Sequence, residues 1–275
     1  MPLVTAAVCP YPPVLVPEVA AGAAGELADL RAACDAALAR IVAAGARQVI
    51  VLGPGQEERT YDPPLCGSFR RWGVSMEVTI GGADPGSDRE ALPPSLTIGA
   101  WLLRRVLAVD ATDRADDDQS DHQGHRDQPS SVPGGPPTPR VRMVTVREDA
   151  TPAECAALAQ RLSDGDDGEP WALLVLGDGS ACRGEKAPGY DDPRAVPFDD
   201  QVAAALANVD LDALSALDPE LARDLKVGGR APWQVLAAAV RATGERWRGE
   251  LLHYTAPYGV GYFVAVWEPD RGHEP

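Results

Sequence analysis

Histidine is close to absent from the part of this chain that can fold. The sequence has four. His122 and His125 sit in an acidic polar stretch and His273 in the tail, which leaves His253 on the apolar segment 250-ELLHY-254. A site built on two neutral imidazoles, as zinc and non-haem iron centres commonly are, has no second one to draw on. His253 reads as an ordinary sheet residue, and the H-x-x-H spacing of His122 and His125 as solvated loop. Lysine is scarcer still, with two in 275 residues, and the net charge is −16. Arginines are scattered singly or in pairs such as Arg70-Arg71 and Arg104-Arg105, with no basic patch. Nucleic acid and anionic membrane surfaces are therefore excluded as partners by repulsion.

No apolar run approaches the roughly 20 residues that span a bilayer. The N-terminus lacks a charged region followed by an apolar segment and a cleavage site, so the expected compartment is the cytoplasm. The five cysteines (Cys9, Cys34, Cys66, Cys155, Cys182) never form a C-x-x-C pair and are odd in number. That pattern suits reduced thiols rather than a disulfide framework or zinc knuckle. No G-x-G-x-x-G opens a helix and no G-K-[ST] ends a glycine loop, which sets nucleotide binding aside. Ser180 lacks the G-x-S-x-G frame and a histidine to serve it, which sets serine hydrolysis aside.

What is present is an α/β pattern. Leu3 to Val8 is an apolar strand, and Gly25 to Ala44 carries Leu27, Leu30, Cys34, Leu38, Ile41 and Val42 at helical spacing. Residues 48–52 form a second strand, so the unit is βαβ and builds a parallel sheet. Val74 to Ile80 alternates like a strand, and Ser95 to Val109 reads as a helix capped by Ser95. From Asp110 to Arg140 almost no apolar side chain occurs, and the segment reads as a disordered acidic insertion. The pattern then repeats: a strand at 141–146, a helix from Pro152 to Ser163 capped by Thr151, and an apolar strand from Trp171 to Leu176. Helices follow at 198–208, 212–217, 219–225 and from Pro232, and strands at 250–254 and 260–267 close the chain. The expected architecture is one domain over 1–275, with a central mixed, largely parallel sheet flanked by helices and the 110–140 insertion looping out.

Three strand ends carry unusual turns: 9-CPYPP-13, 53-GPGQEE-58 and 177-GDGSACRGEK-186. Ligands in open α/β sheets bind at the carboxyl ends of strands, so these turns are expected to meet over one cleft. Prolines stiffen the first by fixing φ and removing donors. In the third, Arg183 and Lys186 either form surface ion pairs or fold over the cleft toward an anion. In 228-GGRAPW-233, Arg230 sits at a helix N-terminus, where it is either a surface arginine or a carboxylate or phosphate donor. The expected ligand-binding residues are Tyr11, Gln56, Asp178, Ser180, Arg183, Lys186, Arg230, Trp233 and Tyr258, for a small aromatic or anionic molecule. No residue is assigned a catalytic or metal-binding role.

The same pieces in the same order resemble the class III extradiol dioxygenase superfamily, the LigB-like fold that also contains the Memo proteins. The resemblance is nearest to actinobacterial members. It covers nearly the whole chain outside the insertion and is most specific at residues 177–199 and 255–267. It implies a LigB-like fold, a ring-cleaving oxidoreductase activity and a cofactor, Fe(II) or zinc. In ring-cleaving members two histidines and a glutamate hold ferrous iron, and another histidine is the acid–base group. The first ligand position falls on Tyr11, the second near Gly53 to Gln56, and the acid–base position between Ser180 and Arg183, none of them histidine here. In Memo proteins a cysteine and a histidine flank the late G-R turn, at places that look like Gly228 and Ala231. The two-histidine iron site is thus not recognisable and no cofactor is expected. The alternative to an oxidoreductase is a binding protein that kept the cleft and lost the metal. Cys9, Tyr11, Glu57 and Asp178 could in principle form a mixed site, whose thiolate, phenolate and carboxylate suit zinc or ferric iron better than Fe(II). Members of the superfamily often dimerise, so a homodimer is a possible assembly, with Tyr262 to Trp267 either pairing across it or buried inside one copy of the chain.

Overall fold

Trp171–Leu176 is buried at every position, and this explains its place in the molecule. A strand apolar on both faces needs cover above and below, and it forms an inner member of the sheet. In the computed structural model, which describes residues 2–81, 90–116, 139–164 and 168–272, ten strands occur among those residues. They are β1 (Leu3–Cys9), β2 (Gln48–Gly55), β3 (Arg59–Tyr61), β4 (Leu65–Ser68), β5 (Glu77–Ile80), β6 (Glu90–Ala91), β7 (Arg140–Arg147), β8 (Trp171–Leu176), β9 (Trp247–Thr255) and β10 (Tyr262–Pro269). The main sheet has seven strands in the order β3-β7-β2-β8-β1-β10-β9. Strands β7, β2, β8 and β1 run parallel, and at the two sides β3 joins β7, β10 joins β1 and β9 joins β10, each by antiparallel pairing. Strands β5, β4 and β6 form a small separate sheet. The expected mixed, largely parallel α/β architecture is what the chain adopts.

Helices cover both faces. On one side lie α1 (Pro17–Ala20), α2 (Ala28–Ala43) and α3 (Pro94–Asp116). There Leu30, Leu38 and Ile41 of α2, and Leu96, Ile98 and Leu102 of α3, pack on Val49, Val51 and Leu174 of the sheet. On the other lie α4 (Pro152–Ser163), α5 (Ala195–Asn208), α6 (Leu211–Ser215), α7 (Pro219–Asp224) and α8 (Arg230–Ala242). Cys155, Phe198, Val202 and Leu236 meet Ile50, Leu173, Val175 and Phe263 there. Period-2 alternation along each strand divides its side chains between these two cores.

Local signals account for most element ends. Thr151 closes a full capping box with Glu154, its hydroxyl accepting from the Glu154 N–H while the Glu154 carboxylate accepts from the Thr151 N–H. Such a cap is worth about 1 kcal/mol. Ser95 is no cap. It lies inside α3 and donates its hydroxyl to the Pro54 carbonyl at 2.7 Å, tying α3 to the end of β2. The helix also continues to Asp116, and Arg140 already belongs to β7, so the 110–140 segment is not an insertion throughout. Residues 117–138, with His122 and His125, lie outside the described residues, as does His273.

Candidate functional site

β1 and β8 are neighbours in the sheet and parallel, but the chain leaves their carboxyl ends toward opposite faces. After β1 it runs into α1 and α2, and after β8 into α5 through α8. A crevice opens where neighbouring strands diverge in this way. Two bonds span it: the Gly177 N–H donates to the Cys9 carbonyl at 3.0 Å, and the Tyr11 N–H donates to Asp178 Oδ1 at 2.9 Å. On the far side the Gly229 N–H donates to the Asp178 carbonyl at 2.8 Å. Asp178 is thereby pinned at the floor, between the turn after β1 and the turn before α8.

Two glycines let these turns come together. A Cβ on Gly177 would stand 2.7 Å from the Gly229 Cα, and one on Gly229 would stand 2.1 Å from the Trp233 ring. The Trp233 indole is buried beneath both turns and packs edge-on to Phe263 at 5.7 Å. It supports the floor of the crevice and does not line it. Gly228 plays a different part: a Cβ there would lie 2.2 Å from the Tyr11 hydroxyl. The phenol thus reaches across from the β1 side to the α7–α8 turn.

Above this floor lies a cleft of about 850 Å³. Tyr11, Asp178, Tyr258 and Tyr262 line it, with Trp72 from the small-sheet region and Pro12 and Pro13 from the stiff turn. Glu148 and Asp149, the two residues after β7, reach it from one side. At the mouth stand three exposed cations, Arg71, Arg223 and Lys226. None of them is ion-paired among the described residues. Arg71 lies over the Trp72 ring at 5.6 Å, and the Lys226 ammonium donates to the Pro188 carbonyl at 3.5 Å. Arginines elsewhere, such as Arg40, Arg105 and Arg194, sit against carboxylates.

The charge environment follows from burial. Desolvation pushes the Asp178 carboxyl up to about 7, against the stabilising Tyr11 N–H. Burial, and then the nearby charges of Asp178 and Glu148, raise the Tyr11 phenol well above its ordinary value. Tyr262 is raised by burial and by the Asp178 charge. Both phenols therefore stay protonated, as hydrogen-bond donors.

Of the nine expected ligand-binding residues, Tyr11, Asp178, Tyr258 and Arg230 line the cleft. Arg230, however, is not a free anion donor. It is 2% exposed, and its guanidinium donates to the carbonyls of Glu148 and Ala150 and, at 3.0 Å, to Gln234 Oε1. It works as a clamp between α8 and the turn after β7. Gln56 is exposed beyond the end of β2, away from the cleft, because the chain turns outward there to add β3 to the sheet edge. Ser180 is buried, its N–H and hydroxyl donating to the two Asp199 carboxylate oxygens, each at 2.8 Å. Arg183 turns the same way, donating to Tyr254 Oη at 2.8 Å and to Asp199 at 3.5 Å. Lys186 is exposed on the following loop and lines no part of the cleft. Tyr258 is half-buried and donates its hydroxyl to Glu26 Oε2 at 2.9 Å.

The residues present do not fit a ferrous site. Tyr11 stands where the first histidine is implied and is held as a neutral phenol. Cys9 is buried in the core against Cys34 of α2. Glu57 is exposed, 3.9 Å from Arg59, and His253 sits on β9 opposite Val264. The mixed set of Cys9, Tyr11, Glu57 and Asp178 therefore does not assemble. Among the described residues no three of His, Cys, Asp or Glu come together as a metal-ion group.

Sequence reasoning missed Glu148, Asp149, Lys226, Arg223 and the Arg71-Trp72 pair. Residues 148 and 149 follow a strand whose end carries no glycine or proline signal. Lys226 carried one cue invisible in sequence: φ of 56°, a left-handed conformation in which glycine or asparagine is usual.

No family model matches this chain, and no curated protein matches it. Among solved structures 18 chains match. One is the crystal structure of the uncharacterized protein JW3007 from Escherichia coli K12, at 12% identity, over 96% of this chain and 99% of that one, with a TM-score of 0.49. The fold rests on the strand order and pairing given above, and the function on the cleft itself.

Proposed function

We propose that this chain binds a small anionic molecule bearing an apolar or aromatic part, in the cleft above Tyr11 and Asp178. The volume of about 850 Å³ falls in the range of small-molecule sites. Aromatic rings supply the apolar surface, and Arg71, Arg223 and Lys226 supply unpaired positive charge at the mouth. The observation that carries the reading is Lys226. Its left-handed φ of 56° costs on the order of 1 kcal/mol against glycine. A lysine at that position, in a chain with two lysines, is accounted for by use of its ammonium at the mouth of the cleft.

The ring-cleaving oxidoreductase implied by the LigB-like resemblance needs iron ligands that this cleft lacks, so binding is the reading we adopt. We place the protein in the cytoplasm, where the five free thiols stay reduced. No helix among the described residues is long and apolar enough to cross a membrane.

The test is a thermal-shift and calorimetric titration with phenylpyruvate, 4-oxo-4-phenylbutanoate and uncharged benzyl alcohol. The two acids are expected to raise the Tm and the alcohol to leave it unchanged. The double variant Arg223→Ala/Lys226→Ala should fold normally and bind the acids at least about tenfold more weakly, a change of about 1.4 kcal/mol. Equal shifts from acid and alcohol, or unchanged affinity in the double variant, would overturn the reading.

A further inference from the structure

Asp178 is held by one oxygen. Its Oδ1 accepts from the Tyr11 N–H, and Oδ2 has no hydrogen-bond partner among the described residues. The side chain lines the cleft at the crevice between β1 and β8. The hydroxyls of Tyr11 and Tyr262, which line the same cleft, likewise have no hydrogen-bond partner among the described residues, and neither is sealed from the cleft. A carboxyl with a free oxygen beside two free phenol donors is an arrangement for moving a proton next to a carbonyl. The carboxyl takes the proton from carbon, and a phenol donates to the oxygen that gains charge.

We propose that Asp178 is a catalytic general base that shifts a proton on a bound oxo acid, with Tyr11 or Tyr262 stabilising the enolate oxygen. This rests on the anionic-ligand reading given above. In the first step Asp178 Oδ2 takes a proton from the carbon beside the carbonyl. The C–H electron pair becomes the C=C bond, and the carbonyl electrons move to the oxygen facing the phenol. In the second, the Asp178 carboxyl, its proton exchanged with solvent through the open cleft, reprotonates the same carbon, and the carboxylate is restored. Nothing is oxidised or reduced overall, and no co-reactant is required. The rim cations hold the carboxylate of the oxo acid, while the aromatic walls pack on its apolar part. The Asp178 carbonyl held by the Gly229 N–H and its Oδ1 held by the Tyr11 N–H fix the position of the base.

The other titratable or charged groups of the cleft are Glu148 and Asp149 after β7, Tyr258 before β10, Arg230 at the start of α8, and Arg71, Arg223 and Lys226 at the mouth. Arg147 engages Asp149 at 2.8 Å and backbone carbonyls engage Arg230. Asp178 is the carboxyl whose ionisation burial brings to about pH 7. The rate should therefore rise about tenfold per pH unit below 7 and level off above it.

The experiment follows hydrogen–deuterium exchange at the carbon beside the carbonyl of phenylpyruvate and of 4-oxo-4-phenylbutanoate. Proton NMR is recorded in D₂O with EDTA present, and binding is measured in parallel by thermal shift. The native protein should exchange at least one probe well above the buffer rate. Asp178→Asn, which keeps an Oδ1 acceptor for the Tyr11 N–H, should bind the probe but lose exchange by about 100-fold or more. The double variant Tyr11→Phe/Tyr262→Phe should lose about tenfold or more in kcat with KM little changed. It decides the question if Asp178→Asn does not fold. A native protein that binds a probe without exchanging it overturns this proposal and leaves the binding reading intact. Exchange at the native rate in Asp178→Asn overturns the proposal too. Failure to bind either acid overturns both readings.

Discussion

The Tyr11 N–H and Asp178 Oδ1, 2.9 Å apart, join the ends of two neighbouring parallel strands that the chain leaves toward opposite faces of the sheet. The bond holds a carboxyl at the bottom of the cleft although burial disfavours its charged form. Structure and ionisation are therefore linked at this residue.

That linkage makes stability depend on pH in a stated direction. The Asp178 carboxyl ordinarily ionises near 3.8, and in the folded protein burial raises this to about 7. Between these values the folded chain keeps a proton that the unfolded chain releases, so this residue lowers stability as pH rises from about 4 to 7. Asp178→Asn, which has no proton to lose, should gain on the native protein across that window by up to about 4 kcal/mol. Urea denaturation at pH 4, 5.5, 7 and 8 measures the gap. A difference that does not change with pH would sink the idea.

Arg230 predicts the opposite of a ligand-contact phenotype. Its guanidinium is spent on the carbonyls of Glu148 and Ala150 and on Gln234, while its Nε is buried without a partner. Arg230→Ala should cost about 3–5 kcal/mol, because it leaves carbonyls of the turn after β7 unpaired around a cavity. Arg230→Lys should recover only part of this, since an ammonium lacks the planar fork that reaches separate acceptors. Chemical denaturation of both variants gives the numbers. A loss under about 1 kcal/mol for Arg230→Ala would show that the clamp has little weight.

Three glycines separate fold from site. Gly229→Ala drives a methyl group into the rigid Trp233 ring and should destabilise by about 3 kcal/mol or more. Gly228→Ala meets only the far end of Tyr11, which can swing aside. Its Tm should be near native, while affinity for the acidic probes falls as the phenol is displaced. Gly25→Ala, with nothing within 4 Å, should stay within about 0.5 kcal/mol of native. Thermal melts and probe titrations on the three proteins distinguish these outcomes. A near-native Gly229→Ala would contradict the packing described.

These contrasts also show where the sequence was legible. The 171–176 run announced an inner strand because nothing in it tolerates water, and the 9-CPYPP-13 and 177-GDGS-180 turns announced strand ends that meet. Tyr11 and Asp178 follow from that placement, whereas Tyr258 stands on the separate turn before β10. Gln56 does not follow, because the path of the chain after β2 is set by pairing with β7, and β7 lies some 90 residues on. Arg230 looked like a surface donor because its acceptors are main-chain carbonyls of a distant segment, which no side-chain pattern reveals. Arg183 was diverted by Asp199 and Tyr254 in the same way. Lys226 escaped notice because a left-handed φ leaves no mark on residue type when the residue is not glycine.

The wedge of Gly177, Gly229 and Trp233 has an evolutionary corollary. The base of the hollow is braced from beneath by main chain and one indole, whereas its mouth is made of exposed side chains on separate loops. Replacements at the mouth can thus retune which molecule enters while the scaffold keeps its strength. A lineage carrying this frame is free to diversify in what it recognises long before it must change how it is built.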